Sequence, residues 1–171
     1  VLPYYRHCEK PKATKQSQKD GCRELVIGNA LLKARAVARR FDSGVVIAAD
    51  TVVLVGRRII GKPRNLKDAA RTLKLLSQRP QWVYTGIAVI DIDNHKTITD
   101  YEKTKVYIYA LSDSEIRDYF KRVSPLDKAG SFDVQGWGSI FIDRVEGCFY
   151  NVVGLPLAKL ARMLKKMDIN I

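Results

Sequence analysis

The sequence VVIAADTVVLVGRRII at residues 45–60 decides the fold. Residues 45–49 are β-branched or small and apolar, which is typical of a buried strand. Residues 52–55 and 58–60 are also strand-like and flank Gly56-Arg57, which predicts a β-hairpin. This region therefore predicts a strand followed by a hairpin, and so the beginning of a β-sheet.

Helical and strand patterns are interspersed outward from this region. Residues 24–41 carry apolar side chains at spacings of three and four, which predicts a helix. Capping residues and apolar runs predict further helices over 65–77, 112–122 and after Pro156, and further strands over 82–92, 97–110, 139–142 and 148–153. Since no repeat or linker divides them, we expect a single α/β domain over residues 1–171, built around one mixed sheet.

The composition is that of a globular protein with a strong basic excess. The 171 residues are 46% apolar and carry a formal net charge of +12, from 30 Lys and Arg against 18 Asp and Glu. That apolar fraction can form a core and excludes wholesale disorder. The positive charge attracts nucleotides, nucleic acid or anionic membranes, and charge alone does not choose among them. Residues 1–21 are polar and basic, which predicts a loop or mobile arm.

Other features exclude several classes of protein. No apolar run approaches the ~20 residues of a membrane-spanning helix, so a membrane is not an expected partner. The three cysteines (Cys8, Cys22 and Cys148) form no Cys-x-x-Cys pair, and two histidines offer few ligands for a zinc site. We therefore expect a soluble cytoplasmic protein with free thiols.

Asp50 is the first candidate functional residue because it follows a wholly apolar run. A buried carboxylate is costly unless it is paired or binds a cation. In open α/β sheets, ligand crevices form where strands end, and the first strand is expected to end here. From the residues alone three roles stay open for Asp50: a cap for the next backbone amides, a metal ligand or a general base.

Three lysines are candidates for binding an anion. Lys62 lies in the rigid turn Gly61-Lys62-Pro63, and a compact ammonium on a flexible stem suits phosphate. Lys33 lies in the first predicted helix, and Lys128 follows Asp127 in a glycine-containing loop. Each is also compatible with an ordinary surface charge, alone or in a surface ion pair.

Taken in order along the chain, these residues resemble the signature of the Maf family. The resemblance covers about residues 24–164, and the ordered combination is specific although no single motif is. The motifs that carry it are Lys33-Ala34, Asp50-Thr51, Gly61-Lys62-Pro63, Leu76-Ser77, Thr85-Gly86, Asp127-Lys128-Ala129-Gly130, Gln135-Gly136 and Asn151-Val152-Val153-Gly154-Leu155-Pro156. The resemblance implies an α/β fold with a bent mixed sheet, flanking helices and a cleft between two lobes.

The resemblance also implies a function. Maf proteins are nucleoside triphosphate pyrophosphatases, related in fold to inosine triphosphate pyrophosphatase. They hydrolyse a nucleotide to its monophosphate and pyrophosphate, assisted by a divalent cation such as Mg²⁺ or Mn²⁺, in a house-cleaning role. Homodimers are frequent among them. The partners implied are therefore a nucleoside triphosphate and a second copy of the chain.

Roles for individual residues follow from matching positions. Asp50 matches the catalytic acidic residue of the family and is a candidate metal ligand, and Lys33 and Lys62 match its phosphate-handling lysines. Thr51 and Gln135 match positions associated with base selection. In the branch acting on dTTP and UTP these two positions are Thr and Gln, as here, so those substrates are expected. Lys128 is expected to help neutralise the triphosphate of the substrate.

The sequence departs from the family pattern near its start. The Ser-Pro-Arg-Arg motif that usually follows the first strand is absent, so we expect the N-terminal strand and helix to be lacking. The acidic stretch that usually comes next is basic here, and Glu9 is a candidate for its missing carboxylate. The alternative hypothesis is thus a catalytically impaired domain of the same fold that binds nucleotides or, through residues 10–15, nucleic acid. No established nucleic-acid motif supports that partner.

Overall fold

The structure is a computed structural model that describes residues 15–169, with the backbone alone for 15–20. Within this range the strands are β1 (Val45–Val55), β2 (Arg58–Ile60), β3 (Gln81–Asp91), β4 (Lys96–Ile108) and β5 (Ile142–Glu146). The α-helices are α1 (Lys15–Ala38), α2 (Leu66–Leu76), α3 (Asp113–Arg122), α4 (Phe149–Val153) and α5 (Leu157–Lys165). Two 3₁₀ segments, Ala129–Ser131 and Trp137–Phe141, lie between α3 and β5. The predicted α/β class is confirmed.

The described strands form one sheet in the order β2-β1-β3-β4-β5. All of its pairings are antiparallel, whereas the sequence predicts a mixed sheet. A short turn can join antiparallel strands, and such turns join β1 to β2 and β3 to β4 here. The predicted cleft between two lobes stays a prediction.

β1 corrects one expectation about Asp50. The strand does not end at residue 49 but continues through Asp50, which pairs with Gly86 of β3. The pairing with β3 extends over all of β1, from Val45 to Val55. The residues before and after Asp50 are therefore also paired with β3. Asp50 therefore lies in the middle of a strand, and the prediction that the first strand ends at this residue is wrong.

The two faces of β1 are covered by different elements, because successive side chains of a strand point to opposite sides. Val46 and Ala48 pack with small residues of α1, so we call this side the α1 face. Val53 and Val55 pack into a larger cluster that includes residues of α2, α3 and both 3₁₀ segments. We call that side the opposite face, and α4 and α5 also pack there.

The helix α1 is longer than expected at its start. It begins at Lys15, so residues 15–21, which the sequence predicts as arm, are helical. A glycine inside a helix costs only about 1 kcal/mol, and packing of the next turn offsets that cost. Cys22 and Val26 are buried against the sheet immediately after Gly21. The rest of the predicted arm, with Glu9, lies outside the described residues.

The predictions of two strands near the C-terminal end are wrong. Residues 148–153 form mostly the short helix α4, and residues 139–142 lie mainly in a 3₁₀ segment that precedes β5. Left-handed glycines bracket α4, since φ is 123° at Gly147 and 118° at Gly154. The β-branched composition favours a strand, but these turns and the burial of Asn151 favour the helix.

The remaining elements agree with the sequence. The hairpin at Gly56-Arg57, the Asn65 cap of α2 and the capping box of Ser112 with Glu115 are confirmed. Cys22 and Cys148 are free thiols. Of the described helices, none combines the length and apolarity needed to cross a bilayer.

Candidate functional site

The carboxylate of Asp50 is held by two side chains of α1. Lys33 Nζ donates to Asp50 Oδ1 at 2.6 Å and to the carbonyl oxygen of Ala49 at 3.2 Å. Asn29 Nδ2 donates to Asp50 Oδ2 at 2.9 Å. The side chain of Asp50 is 16% exposed and that of Lys33 is 57% exposed. The carboxylate is thus fixed in orientation, while the ammonium beside it remains accessible to an anion.

A close approach of helix and sheet creates this arrangement. A Cβ atom at Gly86 would overlap the main chain of Val26 and Ile27 in α1. Gly86 pairs with Asp50 across the ladder, so the point of closest approach lies beside the carboxylate. Asn29 and Lys33 are four residues apart and therefore share one side of α1. The absence of a side chain at Gly86 thus lets α1 place both donors over Asp50.

Thr51 lies on the opposite face, in a neutral hydrogen-bond network. Its Oγ1 lies 2.8 Å from Thr85 Oγ1, and Thr85 Oγ1 donates to the carbonyl oxygen of Asn151 at 3.1 Å. Thr85 and Asn151 are fully buried, whereas Thr51 is half-buried. Thr51 is therefore the partly exposed end of a network whose other members are buried.

Lys62 and Lys128 lie on two loops that meet on the opposite face. The amide of Gly130 donates to the carbonyl oxygen of Gly61 at 3.4 Å, which brings the loops together. Lys128 Nζ lies 2.9 Å from Asp127 Oδ1. That hydrogen bond lowers the pKa of Asp127, and the charges of Lys128 and Lys62 add to the effect. Lys62 is exposed. Lys128 forms an ion pair with Asp127, which is one of the two roles left open for it by the sequence.

Gln135 is exposed on a loop that is organised by Asp133. Asp133 Oδ1 accepts from the amide of Gly138 at 2.8 Å and from the hydroxyl of Tyr119 at 3.2 Å. The amide of Asp133 donates in turn to the Tyr119 hydroxyl at 3.1 Å. Burial raises the pKa of Tyr119 to about 12. The loop is thus held from within, and its polar tip at Gln135 faces solvent.

The predicted site residues form two groups. Lys33 and Asp50 are in contact on the α1 face, and Thr51, Lys62 and Lys128 belong to the opposite face. Within residues 21–169, no hydrogen bond or ion pair joins Gln135 or either loop lysine to Asp50. The two groups adjoin at β1, where β2 pairs only with Val53–Val55. Among the described strands, the edge of β1 at Asp50 and Thr51 is therefore open on the side away from β3.

Asn29 is not among the residues predicted from the sequence, and Thr85 and Asn151 have no predicted role of their own. The position of Asn29 one helical turn before Lys33 is a signal that could have found it. Thr85 and Asn151 belong to motifs of the resemblance, but their contact with Thr51 depends on how α4 packs against β3.

The residues around Asp50 suit a cation that takes most of its ligands from water and substrate rather than from the protein. Among the described residues no cluster of three or more His, Cys, Asp or Glu could enclose a metal ion. Asp50 offers two carboxylate oxygens, and its side chain is 16% exposed. Mg²⁺ is commonly bound through one or two carboxylates, with water and substrate phosphates completing its coordination. Asp50 therefore fits as a single protein ligand of such an ion.

Comparison with known proteins gives a consistent result. A family model described as Maf-like protein matches residues 4–167. A dTTP/UTP pyrophosphatase of Bacillus cereus (strain G9842) is 46% identical over 148 residues, which are 86% of this chain and 76% of that protein. A dTTP/UTP pyrophosphatase of Bacillus mycoides (strain KBAB4) is 47% identical over 145 residues, or 85% and 75%. One of Methanosarcina barkeri (strain Fusaro / DSM 804) is 43% identical over 149 residues, or 87% and 76%.

Proposed function

Because the chain belongs to the Maf-like family, we propose that it is a nucleoside triphosphate pyrophosphatase that acts on dTTP and UTP. The relatives with that name support the substrate class. The observation that carries the proposal is the carboxylate of Asp50 held between Lys33 and Asn29, with an exposed ammonium beside it. We further propose a cytoplasmic house-cleaning role and a homodimer.

In the proposed reaction a water attacks the α-phosphorus of the nucleotide. The bond from the α-phosphorus to the αβ-bridging oxygen breaks, so that pyrophosphate leaves and the nucleoside monophosphate remains. Negative charge builds up on the non-bridging and leaving oxygens, so fixed positive charges supply most of the help. Lys33 supplies such a charge on the α1 face, and Lys62 and Lys128 supply it from the opposite face.

Asp50 acts on the attacking water in this proposal. Lys33 and Asn29 hold its two oxygens and prevent the carboxylate from rotating. Asp50 then accepts the proton of the water, or would be the residue that holds the cation. A bound Mg²⁺ or Mn²⁺ offsets phosphate charge and lowers the pKa of a coordinated water.

Base selection is assigned to Thr51 and Gln135. Because Thr51 and Asp50 face opposite sides of β1, a nucleotide that contacts both passes around the open edge of this strand. The amide of Gln135 can donate to a carbonyl group of a pyrimidine and accept from its NH group. The proposed nucleotide thus has its phosphates at the open edge of β1, where Lys33 and Asp50 reach them from the α1 face and Lys62 and Lys128 from the opposite face, and its base beside Thr51.

The test is pyrophosphate release from a panel of nucleoside triphosphates with Mg²⁺, comparing the chain with its Asp50→Asn variant. We expect turnover of dTTP and UTP, and a loss of roughly 10²- to 10⁴-fold in kcat on substitution. Asp118→Asn is the matched control, since Asp118 pairs with Lys121 at the exposed surface of α3. That variant is expected to retain the turnover of the unsubstituted chain.

A Mg²⁺ titration of Asp50→Asn separates the two roles of Asp50. If Asp50 holds the cation, the concentration needed for half-maximal activity rises; if it is a base, that concentration stays and only kcat falls. Absence of turnover with every triphosphate, together with salt-sensitive binding of RNA or DNA, contradicts the proposal. That result supports the catalytically impaired binding domain instead.

A further inference from the structure

A chain of buried hydrogen bonds crosses the sheet on the opposite face and ends at Thr51. It begins at Asn151, whose side chain is fully buried. Asn151 Nδ2 donates to the carbonyl oxygen of Val83 at 3.1 Å and to Thr104 Oγ1 at 3.0 Å. Because a carbonyl oxygen only accepts, the bond to Val83 determines which end of the amide is the NH₂ group.

The side chain of Thr104 also binds the main chain of Cys148, the residue just before α4. Its Oγ1 donates to the carbonyl oxygen of Cys148 at 3.0 Å and accepts from the amide of Cys148 at 3.1 Å. Together with the Asn151 side chain, these bonds fix the main chain of α4 against β3 and β4. The carbonyl group of Asn151 is therefore fixed too, and its oxygen accepts from the amide of Gly154 at 3.1 Å.

The direction of the last two bonds follows from counting hydrogens. A threonine hydroxyl has one hydrogen to donate. Thr85 donates its hydrogen to the carbonyl oxygen of Asn151 at 3.1 Å, since that oxygen has none to give. The bond of 2.8 Å between Thr85 and Thr51 must then take its hydrogen from Thr51. Thr51 thus has no hydrogen left and offers only lone pairs to a ligand.

The surroundings of this hydroxyl are partly open. Thr51 is half-buried. Gly154, whose amide donates to the carbonyl oxygen of Asn151, lies close to the Thr51 hydroxyl. A side chain at Gly154 would begin 3.7 Å from Thr51 Oγ1, at an ordinary contact distance. The φ of 118° at Gly154 favours glycine and so keeps this space free. Next to Thr51 Oγ1 there is therefore open space at least as large as a methyl group.

We infer that Thr51 is a one-way hydrogen-bond acceptor for the N3–H of uracil or thymine, and that Thr85 is the positioning residue that sets its direction. The inference rests on the proposed function and deepens it. Uracil and thymine carry a hydrogen on N3, whereas cytosine has a lone pair there. A cytosine base would set two acceptors against each other, and a site that leaves polar groups unpaired rejects its ligand strongly.

Thr85→Val and Thr85→Ser form the matched test. Valine keeps the shape but frees the hydrogen of Thr51, which can then be donated to N3 of cytosine. We expect the ratio of kcat/KM for UTP over CTP to fall by roughly 10-fold in Thr85→Val, the effect of one buried hydrogen bond. Serine restores the hydroxyl, and Thr85→Ser is expected to keep the original ratio. A merely structural role would lower both activities and leave their ratio unchanged.

A second measurement uses the unsubstituted chain and does not depend on the folding of a variant. In 3-methyl-UTP a methyl group replaces the N3 hydrogen, and we expect its kcat/KM to fall at least about 100-fold below that of UTP. Equal hydrolysis of UTP and 3-methyl-UTP, or an unchanged ratio in a folded Thr85→Val, overturns the inference and leaves the proposed function standing. No hydrolysis of any triphosphate overturns both.

Discussion

Asp50 and Thr51 are neighbours in the chain, yet their side chains lie in very different surroundings. On the α1 face a carboxylate and an exposed ammonium meet 2.6 Å apart. On the opposite face a hydroxyl joins a neutral network whose other members are fully buried. Charges are costly to desolvate, and hydrogen-bond direction is best defined where water is absent. The strand β1 thus separates a charged pair on one face from a neutral hydrogen-bond network around Thr51 on the other.

The largest expected effect comes from closing the gap between α1 and the sheet. Gly86→Ala places a Cβ atom against the main chain of Val26 and forces α1 away from β3. We expect the free energy of unfolding to fall by about 3 kcal/mol and pyrophosphate release to be lost. Gly28→Ala is the control, because its Cβ atom meets nothing within 4 Å. That helical substitution is expected to stabilise the protein by about 0.5–1 kcal/mol.

These two variants are compared by denaturant unfolding and by initial rates with UTP. Equal stability of Gly86→Ala and the unsubstituted chain would show that α1 does not depend on this close approach.

The next effect tests the opposite face at alkaline pH. Burial raises the pKa of Tyr119 to about 12, whereas an unfolded tyrosine titrates near 10. The unfolded chain therefore loses this proton first, and the contribution of Tyr119 to stability is complete below pH 10 and lost as pH rises through about 12. The loss amounts to at most about 2–3 kcal/mol.

Denaturant unfolding between about pH 9 and 12 measures this loss, with Tyr119→Phe as the comparison. The variant lacks the titrating hydroxyl, so its curve against pH should be flatter than that of the unsubstituted chain. Parallel curves would contradict the assignment.

A smaller effect concerns the positive charge beside Asp50. Lys33→Gln removes that charge, and we expect kcat/KM for UTP to fall roughly 10- to 100-fold, as for loss of one charge-assisted bond to phosphate. Stability should change little because Lys33 is largely exposed. Arg35→Gln removes one positive charge from the same helix at an exposed position and serves as the control. Equal losses in both variants would indicate that the overall positive charge of α1 attracts the substrate, rather than a local contact of Lys33 with phosphate.

The smallest effect concerns Gln135. Since this side chain is exposed on its loop, Gln135→Ala should leave the melting temperature unchanged. We expect the ratio of kcat/KM for UTP over CTP to change by about 3- to 10-fold, the range of one hydrogen bond to a neutral group. Rates over the substrate panel and a thermal melt measure the two quantities. An unchanged ratio would remove Gln135 from base selection.

Local patterns predicted much of the fold. The hairpin, the caps of α2 and α3 and the helix after Pro156 depend on neighbouring residues, so their signals lie in the sequence itself. Residues 148–153 have a strand-like composition but fold largely into α4, because the glycines at both ends and the buried contacts of Asn151 outweigh that preference. Asp50 could be recognised as unusual, but its place in mid-strand follows from pairing with β3.

The sequence by itself determined the α/β class, the family resemblance and the candidate residues, because these depend on residue type and order along the chain. The tertiary structure decided which of them meet. Lys33 and Asp50 are 17 positions apart and come together because Gly86 lets α1 approach the sheet. Thr51 and Asn151 are further apart, and their link through Thr85 exists because α4 packs against β3. Distances of this kind are set by packing between elements, which local patterns do not encode.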